Sequence, residues 1–140
     1  MSSELSLSDA ISHFHEVSST THQFWAYFQF VAAGAVTVAW AAPLKGSKGL
    51  CWLLTAAVSV FAAINGVLVY RSQQDMFAVA NAIHACVDSH ACAVDKALTP
   101  VTESIGAAEP CLIALAYAGL FVATVVGIWL PNWRPSVLRS

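Results

Sequence analysis

The chain has 140 residues, of which 58% are hydrophobic and 10% are charged; its net charge is −2 and its mean hydropathy is +0.66. Such a composition lies outside the usual range of soluble domains. It offers no strongly basic surface, so we expect no nucleic-acid partner. The length fits one domain, and the composition makes it a membrane domain.

Three apolar runs reach the length of about 20 residues that a helix needs to cross a hydrocarbon core. They cover residues 24–42, 50–70 and 111–130, and none contains Asp, Glu, Lys, Arg or His. A protein this small has no room to bury three such helices on all sides. The sequence therefore predicts an all-α integral membrane protein with three transmembrane helices. Pro110 either begins the third helix or kinks a helix that runs into it.

The segments outside these runs predict the topology. Residues 1–23, 43–49, 71–110 and 131–140 carry net charges of −3, +2, −3 and +2. Basic residues beside the spans favour the cytoplasmic side. We therefore expect the N-terminus and the long loop outside, and the short link and the tail inside, in a bacterial inner membrane or a plasma membrane.

The long outer segment, residues 71–110, has the pattern of a helical hairpin. Apolar or small residues recur there at a spacing of three and four, which is typical of a helix. Asp88 and Ser89 favour turns. We therefore expect an outward helical arm over residues 71–87 and a returning arm over residues 90–109.

The predicted tip of this hairpin, IHACVDSHACAVDK, is rich in reactive side chains. If the chain turns at Asp88 and Ser89, Cys86 and Cys92 lie on either side of the turn. Thiols on the outer side of a membrane tend to oxidise. We therefore predict a Cys86–Cys92 disulfide, with Cys111 as an alternative partner.

A second geometry gives the same stretch a different chemistry. If the helix runs straight through, His84, Asp88 and Cys92 share one face, and Cys86 and His90 form a second pair. These ligand types at helical spacing suit a divalent metal such as zinc. Since the outer side favours the disulfide, we expect no bound metal and no cofactor.

Small and polar residues within the predicted spans indicate surfaces where helices approach closely in lipid. An amide in hydrocarbon needs a hydrogen-bond partner, and the sequence leaves open whether that partner lies in the same chain or in another subunit. The predicted helix-packing residues are Gly119, Ala123, Gly127, Thr55, Ser59 and Asn65. Three spans cannot easily bury all these surfaces, which favours a homo-oligomer or a larger membrane complex.

We therefore expect a non-enzymatic structural or accessory subunit, because no nucleophile–base pair or carboxylate dyad is present. One alternative is a homo-oligomeric pore lined by Thr55, Ser59 and Asn65. Another is a metal- or redox-binding membrane protein that uses the external histidines and cysteines. The plan of three spans, an outer N-terminus and a basic tail is similar in outline to that of some phage holins, which oligomerise and perforate the inner membrane. That likeness covers the topology only, and the short tail and the large outer hairpin depart from it.

The charge pattern predicts that positions 10 and 90 face outward and that positions 46 and 138 face inward. Single cysteines at these positions, in a cysteine-free background, are exposed to an impermeant thiol reagent on intact cells or spheroplasts. We expect labelling at 10 and 90 only. Labelling at 46 but not at 90 would invert the predicted topology.

Overall fold

The computed structural model describes residues 7–41, 47–89, 102 and 105–133. Within these ranges the chain forms three helices and no strand: α1 (Leu7–Trp40), α2 (Lys48–Asp88) and α3 (Pro110–Trp133). Their 34, 41 and 24 residues correspond to about 51, 61 and 36 Å at 1.5 Å per residue. The predicted all-helical fold is confirmed over this part of the chain.

The ends of α2 and α3 follow from local sequence. Before α2, the Ser47 hydroxyl accepts a hydrogen bond from the backbone N–H of Leu50 at 3.4 Å, as an N-cap does. At the other end, Ser89 is the C-cap of α2, and its backbone N–H donates to the Ala85 carbonyl at 3.1 Å. The predicted helix end at this position is confirmed. Pro110 is the first residue of α3, where proline loses no helical hydrogen bond.

Helices α1 and α2 both continue beyond the apolar runs that the sequence marks as spans. α1 includes most of the polar N-terminal segment as well as residues 24–40. α2 continues for residues 71–88, which is about 27 Å past the apolar run. The outward arm of the predicted hairpin is therefore helical, as expected.

The returning arm differs from its prediction. Residues 105–109 are not helical, so the expected helix over residues 90–109 is wrong at its end. Two causes are visible in this segment. Gly106 has a low helix propensity, and Pro110 disfavours the helical conformation in the residue before it. Side chains of α2 instead donate hydrogen bonds to carbonyl oxygens that backbone N–H groups would bind in a helix. Residues 90–101, 103 and 104 lie outside the described part of the chain.

The three helices form one antiparallel bundle in which each helix contacts the other two. Three apolar clusters follow one another along its axis, and we name them by position. The basal cluster, where α1 ends and α2 begins, contains Ala35, Ala39, Cys51, Val58 and Ile128. The central cluster contains Phe28, Ala62, Val69 and Tyr117. The distal cluster contains Ile11, Phe14, Ala80, Ile83 and Ile105.

Two of the described helices, α2 and α3, are long and apolar enough to cross a membrane. α1 does not meet the same criterion, so the first predicted span, residues 24–42, remains a prediction. Its run contains Gln29 and the aromatic residues Trp25, Tyr27 and Trp40, which have a weaker preference for hydrocarbon than aliphatic side chains.

Candidate functional site

A small polar network joins the three helices at the central cluster. The Asn65 side chain is almost fully buried, and its amide donates to the Phe24 carbonyl at 3.1 Å and to the Tyr117 hydroxyl at 3.2 Å. The Tyr117 hydroxyl in turn donates to the Ala62 carbonyl at 3.2 Å. The partner of Asn65 therefore lies within the same chain, which decides between the two possibilities that the sequence left open.

Aromatic packing surrounds this network. The ring of Tyr117 lies 4.6 Å from that of Phe28 and 5.6 Å from that of Trp25, measured between centroids. A Cβ atom at Gly66 would approach the same ring to 3.1 Å, which is tighter than ordinary packing. Glycine at this position thus lets α2 approach the tyrosine on α3. The sequence places Gly66 four residues after Ala62, a small-residue spacing like that of Gly119 and Gly127, but only the position of Tyr117 shows what Gly66 contacts.

The basal end has its own polar contacts, formed by tryptophans. Trp40 donates to the Gly127 carbonyl at 3.0 Å, and Trp129 donates to the Thr55 hydroxyl at 3.0 Å. Trp52 packs against Trp129 at a centroid distance of 5.1 Å. These aromatic residues lie together at one level of the bundle, an arrangement typical of a membrane interface.

The predicted helix-packing residues fall into two groups. Asn65, Thr55 and Gly127 take part in contacts between helices, and a Cβ at Gly127 would approach Val36 of α1 to 3.1 Å. Gly119 and Ala123 instead lie on the exposed face of α3, and a Cβ at Gly119 would meet nothing within 4 Å. Residues with the same four-residue spacing therefore lie on different surfaces of α3.

An open groove runs between α2 and α3 beside the central network. It has a volume of about 550 Å³, which is within the usual range for ligand sites. Small residues form much of its wall: Ala62, Ala63 and Gly66 from α2, and Ala114 and Ala118 from α3. Ser59, another predicted packing residue, lies at one end. Tyr70, Arg71 and Gln74 lie at the other end, so the groove is apolar along its length and polar at one mouth.

Polar contacts at the distal end hold the non-helical segment on α2. His84 donates from Nε2 to the Ile105 carbonyl at 2.7 Å, and Gln73 donates to the Ala108 carbonyl at 2.8 Å. Thr21 and Ser72, both buried, share a hydrogen bond of 2.6 Å between α1 and α2. His84, one of the proposed metal ligands, therefore has a structural partner.

The tip residues are described only in part. Because α2 ends at Asp88, the geometry in which one helix carries His84, Asp88 and Cys92 is not formed. Within the described ranges, no group of three or more His, Cys, Asp and Glu side chains is placed to hold a metal ion. His90 and Cys92 lie outside these ranges, so neither the metal site nor its absence is tested there.

Three of the four cysteines, Cys51, Cys86 and Cys111, lie in the described part of the chain. Cys51 and Cys111 have free thiols, so the alternative pairing with Cys111 is not formed. The buried Cys51 sulfur lies 3.4 Å from the Ile128 carbonyl and 3.0 Å from the Asn132 amide nitrogen. Cys86 lies in the last turn of α2, but its expected partner Cys92 is outside the described residues. The Cys86–Cys92 disulfide therefore stays a prediction.

Comparison of the chain with protein-family models, with curated proteins and with solved structures finds no match. The proposals below therefore rest on the geometry of the chain itself.

The central network predicts coupling between Asn65 and Tyr117. A double-mutant cycle measures this coupling with Asn65→Leu, Tyr117→Phe and the double variant. The change to phenylalanine removes the hydroxyl and keeps the aromatic ring. We expect each single change to lower the free energy of unfolding by about 1 kcal/mol, and the coupling to be of similar size. Unfolding in mixed micelles, followed by circular dichroism, measures it. Additive effects of the two single changes would show that this hydrogen bond does not contribute.

At the tip of the hairpin we predict a disulfide between Cys86 and Cys92. A bridge that closes so short a loop contributes about 2 kcal/mol in the chain-entropy model. Cys86→Ser should therefore increase proteolysis of residues 86–104 without preventing membrane insertion, while Cys111→Ser should leave proteolysis unchanged. Non-reducing peptide mapping after alkylation in intact cells identifies the bridge directly. Recovery of Cys86 and Cys92 as alkylated thiols would remove it.

Proposed function

We propose that this chain is an integral membrane protein with three spans and acts as a non-enzymatic structural or accessory subunit. Its partners would be the lipid bilayer and either further copies of itself or a larger membrane complex. One observation carries the proposal: α2 and α3 leave most of their apolar stretches exposed, while the described polar side chains inside the bundle are hydrogen-bonded. A helix that is apolar on all sides is either buried in a core or spans a membrane, and these two helices are not buried.

The outward apolar surface is extensive along α2 and α3. Only 22% and 17% of their most apolar stretches are buried within the bundle. Leu53, Leu115 and Trp52 are each about two-thirds exposed. Exposed patches of this kind mark a membrane or a protein partner. A core helix of a soluble protein would be mostly buried, so these two helices favour a bilayer environment.

The polar interior complements this surface. Among the described residues, no buried side-chain nitrogen or oxygen atom lacks a hydrogen-bond partner. An unpaired polar group costs several kcal/mol in hydrocarbon, so complete internal pairing is what a bilayer demands. Asn65 meets this demand through Phe24 and Tyr117.

Proton or ion transport by a single chain draws no support from the residues that the spans contain. Proton and ion relays use ionisable groups within the bilayer. The three predicted spans contain no Asp, Glu, Lys, Arg or His. An accessory or structural role needs no such group, because it depends on surfaces and not on reacting side chains.

The pore alternative draws less support from the geometry. Two of its three proposed lining residues, Thr55 and Asn65, are hydrogen-bonded to groups inside the bundle. A lumen formed by several copies would have to break these contacts before the same side chains faced water. If the outer surface of the bundle faces lipid instead, these hydrogen bonds stay in place.

The surface best suited to association with other copies lies on α3. Gly119 and Ala123 lie one helical turn apart on its exposed face, with open space beside Gly119. Small residues at this spacing allow two backbones to approach closely in lipid. Leu112, Leu115 and Val122 flank them and are each more than half exposed. We therefore assign self-association to this face, and not to Gly127, which α1 already covers.

This assignment predicts that Gly119→Leu weakens self-association about fivefold, or about 1 kcal/mol, because the larger side chain holds the backbones apart. Gly34→Leu is the matched control, since a Cβ at Gly34 also meets nothing within 4 Å. Cross-linking in membranes and mass measurement in mild detergent report the oligomer. Unchanged assembly of Gly119→Leu would remove this face from the proposal.

Two further measurements test the membrane subunit itself. Alkaline carbonate washing should leave the protein in the membrane fraction. Purification in mild detergent, followed by mass spectrometry, should yield either an oligomer of this chain or a reproducible larger partner. A monomer without a partner would contradict the subunit role, and release by carbonate would contradict the membrane location.

A further inference from the structure

The groove between α2 and α3 has the length and polarity of a lipid site. We propose that it holds one acyl chain of an anionic phospholipid, with the lipid phosphate bound at Arg71. The inference rests on the membrane location proposed above, but not on self-association. The groove opens on the side of α3 that carries Ala114 and Ala118, away from Gly119.

The length of the groove matches one leaflet. Its apolar part runs along α2 from Ser59 to Tyr70, which is about 16 Å at 1.5 Å per residue. Half of a hydrocarbon core of about 30 Å is about 15 Å. An acyl chain that enters at the Tyr70 end would therefore reach the middle of the bilayer where the groove ends.

The charged residue of the groove and two of its polar residues lie at the same end. Arg71 is the only charged side chain among the described residues that line it, and the side chain is exposed. Gln74, one turn further along α2, and Tyr70 add hydrogen-bond donors at the same mouth. A guanidinium group binds phosphate oxygens through two parallel hydrogen bonds. An anionic headgroup with an apolar tail complements this arrangement, with the charge at the interface and the tail in the groove.

The floor of the groove is part of the central network. Tyr117 lines it, and its ring is held by Phe28, Trp25 and the hydrogen bond from Asn65. A Cβ at Gly66 would lie 3.1 Å from this ring, so the small residue keeps the wall and the floor together. The site is therefore preformed by the same contacts that hold the bundle, which lowers the cost of ordering a lipid there.

The test uses the full chain reconstituted in vesicles of equimolar phosphatidylglycerol and phosphatidylcholine with matched acyl chains. The protein is extracted in mild detergent, and native mass spectrometry counts the lipids that it retains. We expect one phosphatidylglycerol to be retained in preference to phosphatidylcholine. Arg71→Gln should reduce this preference about fivefold, the effect of one basic residue near an anionic headgroup. Lys48→Gln removes an exposed charge at the other end of α2 and should leave the preference unchanged.

A second pair of variants tests the acyl part. Ala118→Leu fills the groove and should lower retention of both lipids, while Ala57→Leu adds the same bulk to an exposed position outside it. Equal retention of the two lipids in wild type, or no change in Arg71→Gln, would overturn the proposal. A dimer without lipid that Ala118→Leu dissociates would assign the groove to a second copy instead.

The same spectra separate this inference from the subunit proposal. If only self-association is wrong, the protein is monomeric and still retains phosphatidylglycerol in the manner that Arg71 controls. If only the lipid site is wrong, the oligomer persists without selective retention. Release of the protein by carbonate washing would overturn both proposals, since the groove would then face water.

Discussion

The Asn65 side chain is the constraint on which the rest of the bundle depends. Its amide reaches a backbone carbonyl of α1 and the hydroxyl of Tyr117 on α3 at the same time. An unpaired amide is costly in an apolar environment, so the three helices are held at the one axial register that satisfies it. Apolar packing alone specifies register weakly in a bundle of alanine-rich helices, because many sliding positions bury similar areas.

The axial register fixed at Asn65 determines which residues of the three helices are in contact at the two ends of the bundle. With Asn65 in place, the last turn of α1 lies beside Gly127, and Trp129 reaches the hydroxyl of Thr55. At the other end, α1 and α2 continue together as a helical pair, joined by the buried hydrogen bond between Thr21 and Ser72. The basal tryptophan layer and the distal polar contacts are therefore consequences of one axial alignment.

Pairing the polar groups inside leaves the outer surface largely apolar along the apolar stretches of α2 and α3. That surface has two parts with different shapes. The face around Gly119 has open space beside the glycine, while among the described residues the α2–α3 groove carries charge only at Arg71. We have proposed the first surface for contact with other copies and the second for a lipid, and the two lie on different sides of α3.

Local sequence determined the helices and most of their ends. Helical periodicity, the cap at Ser47, the turn pair at Asp88 and Ser89, and Pro110 each act over a few residues, so they can be read without knowledge of the fold. The failure over residues 105–109 is only partly local. Beside the effects of Gly106 and Pro110, the side chains of His84 and Gln73, distant in sequence, bind carbonyl oxygens of this segment.

The sequence also determined which residues needed partners, but only the tertiary structure decided which partners they have. An amide at Asn65 in an apolar run must be paired, yet its spacing does not say whether Tyr117 or another chain supplies the oxygen. Gly119 and Gly127 have the same local pattern, although one faces open space and the other meets Val36. The physical reason is that hydrogen-bond need and side-chain size belong to each residue alone, whereas contact depends on the register and rotation of whole helices.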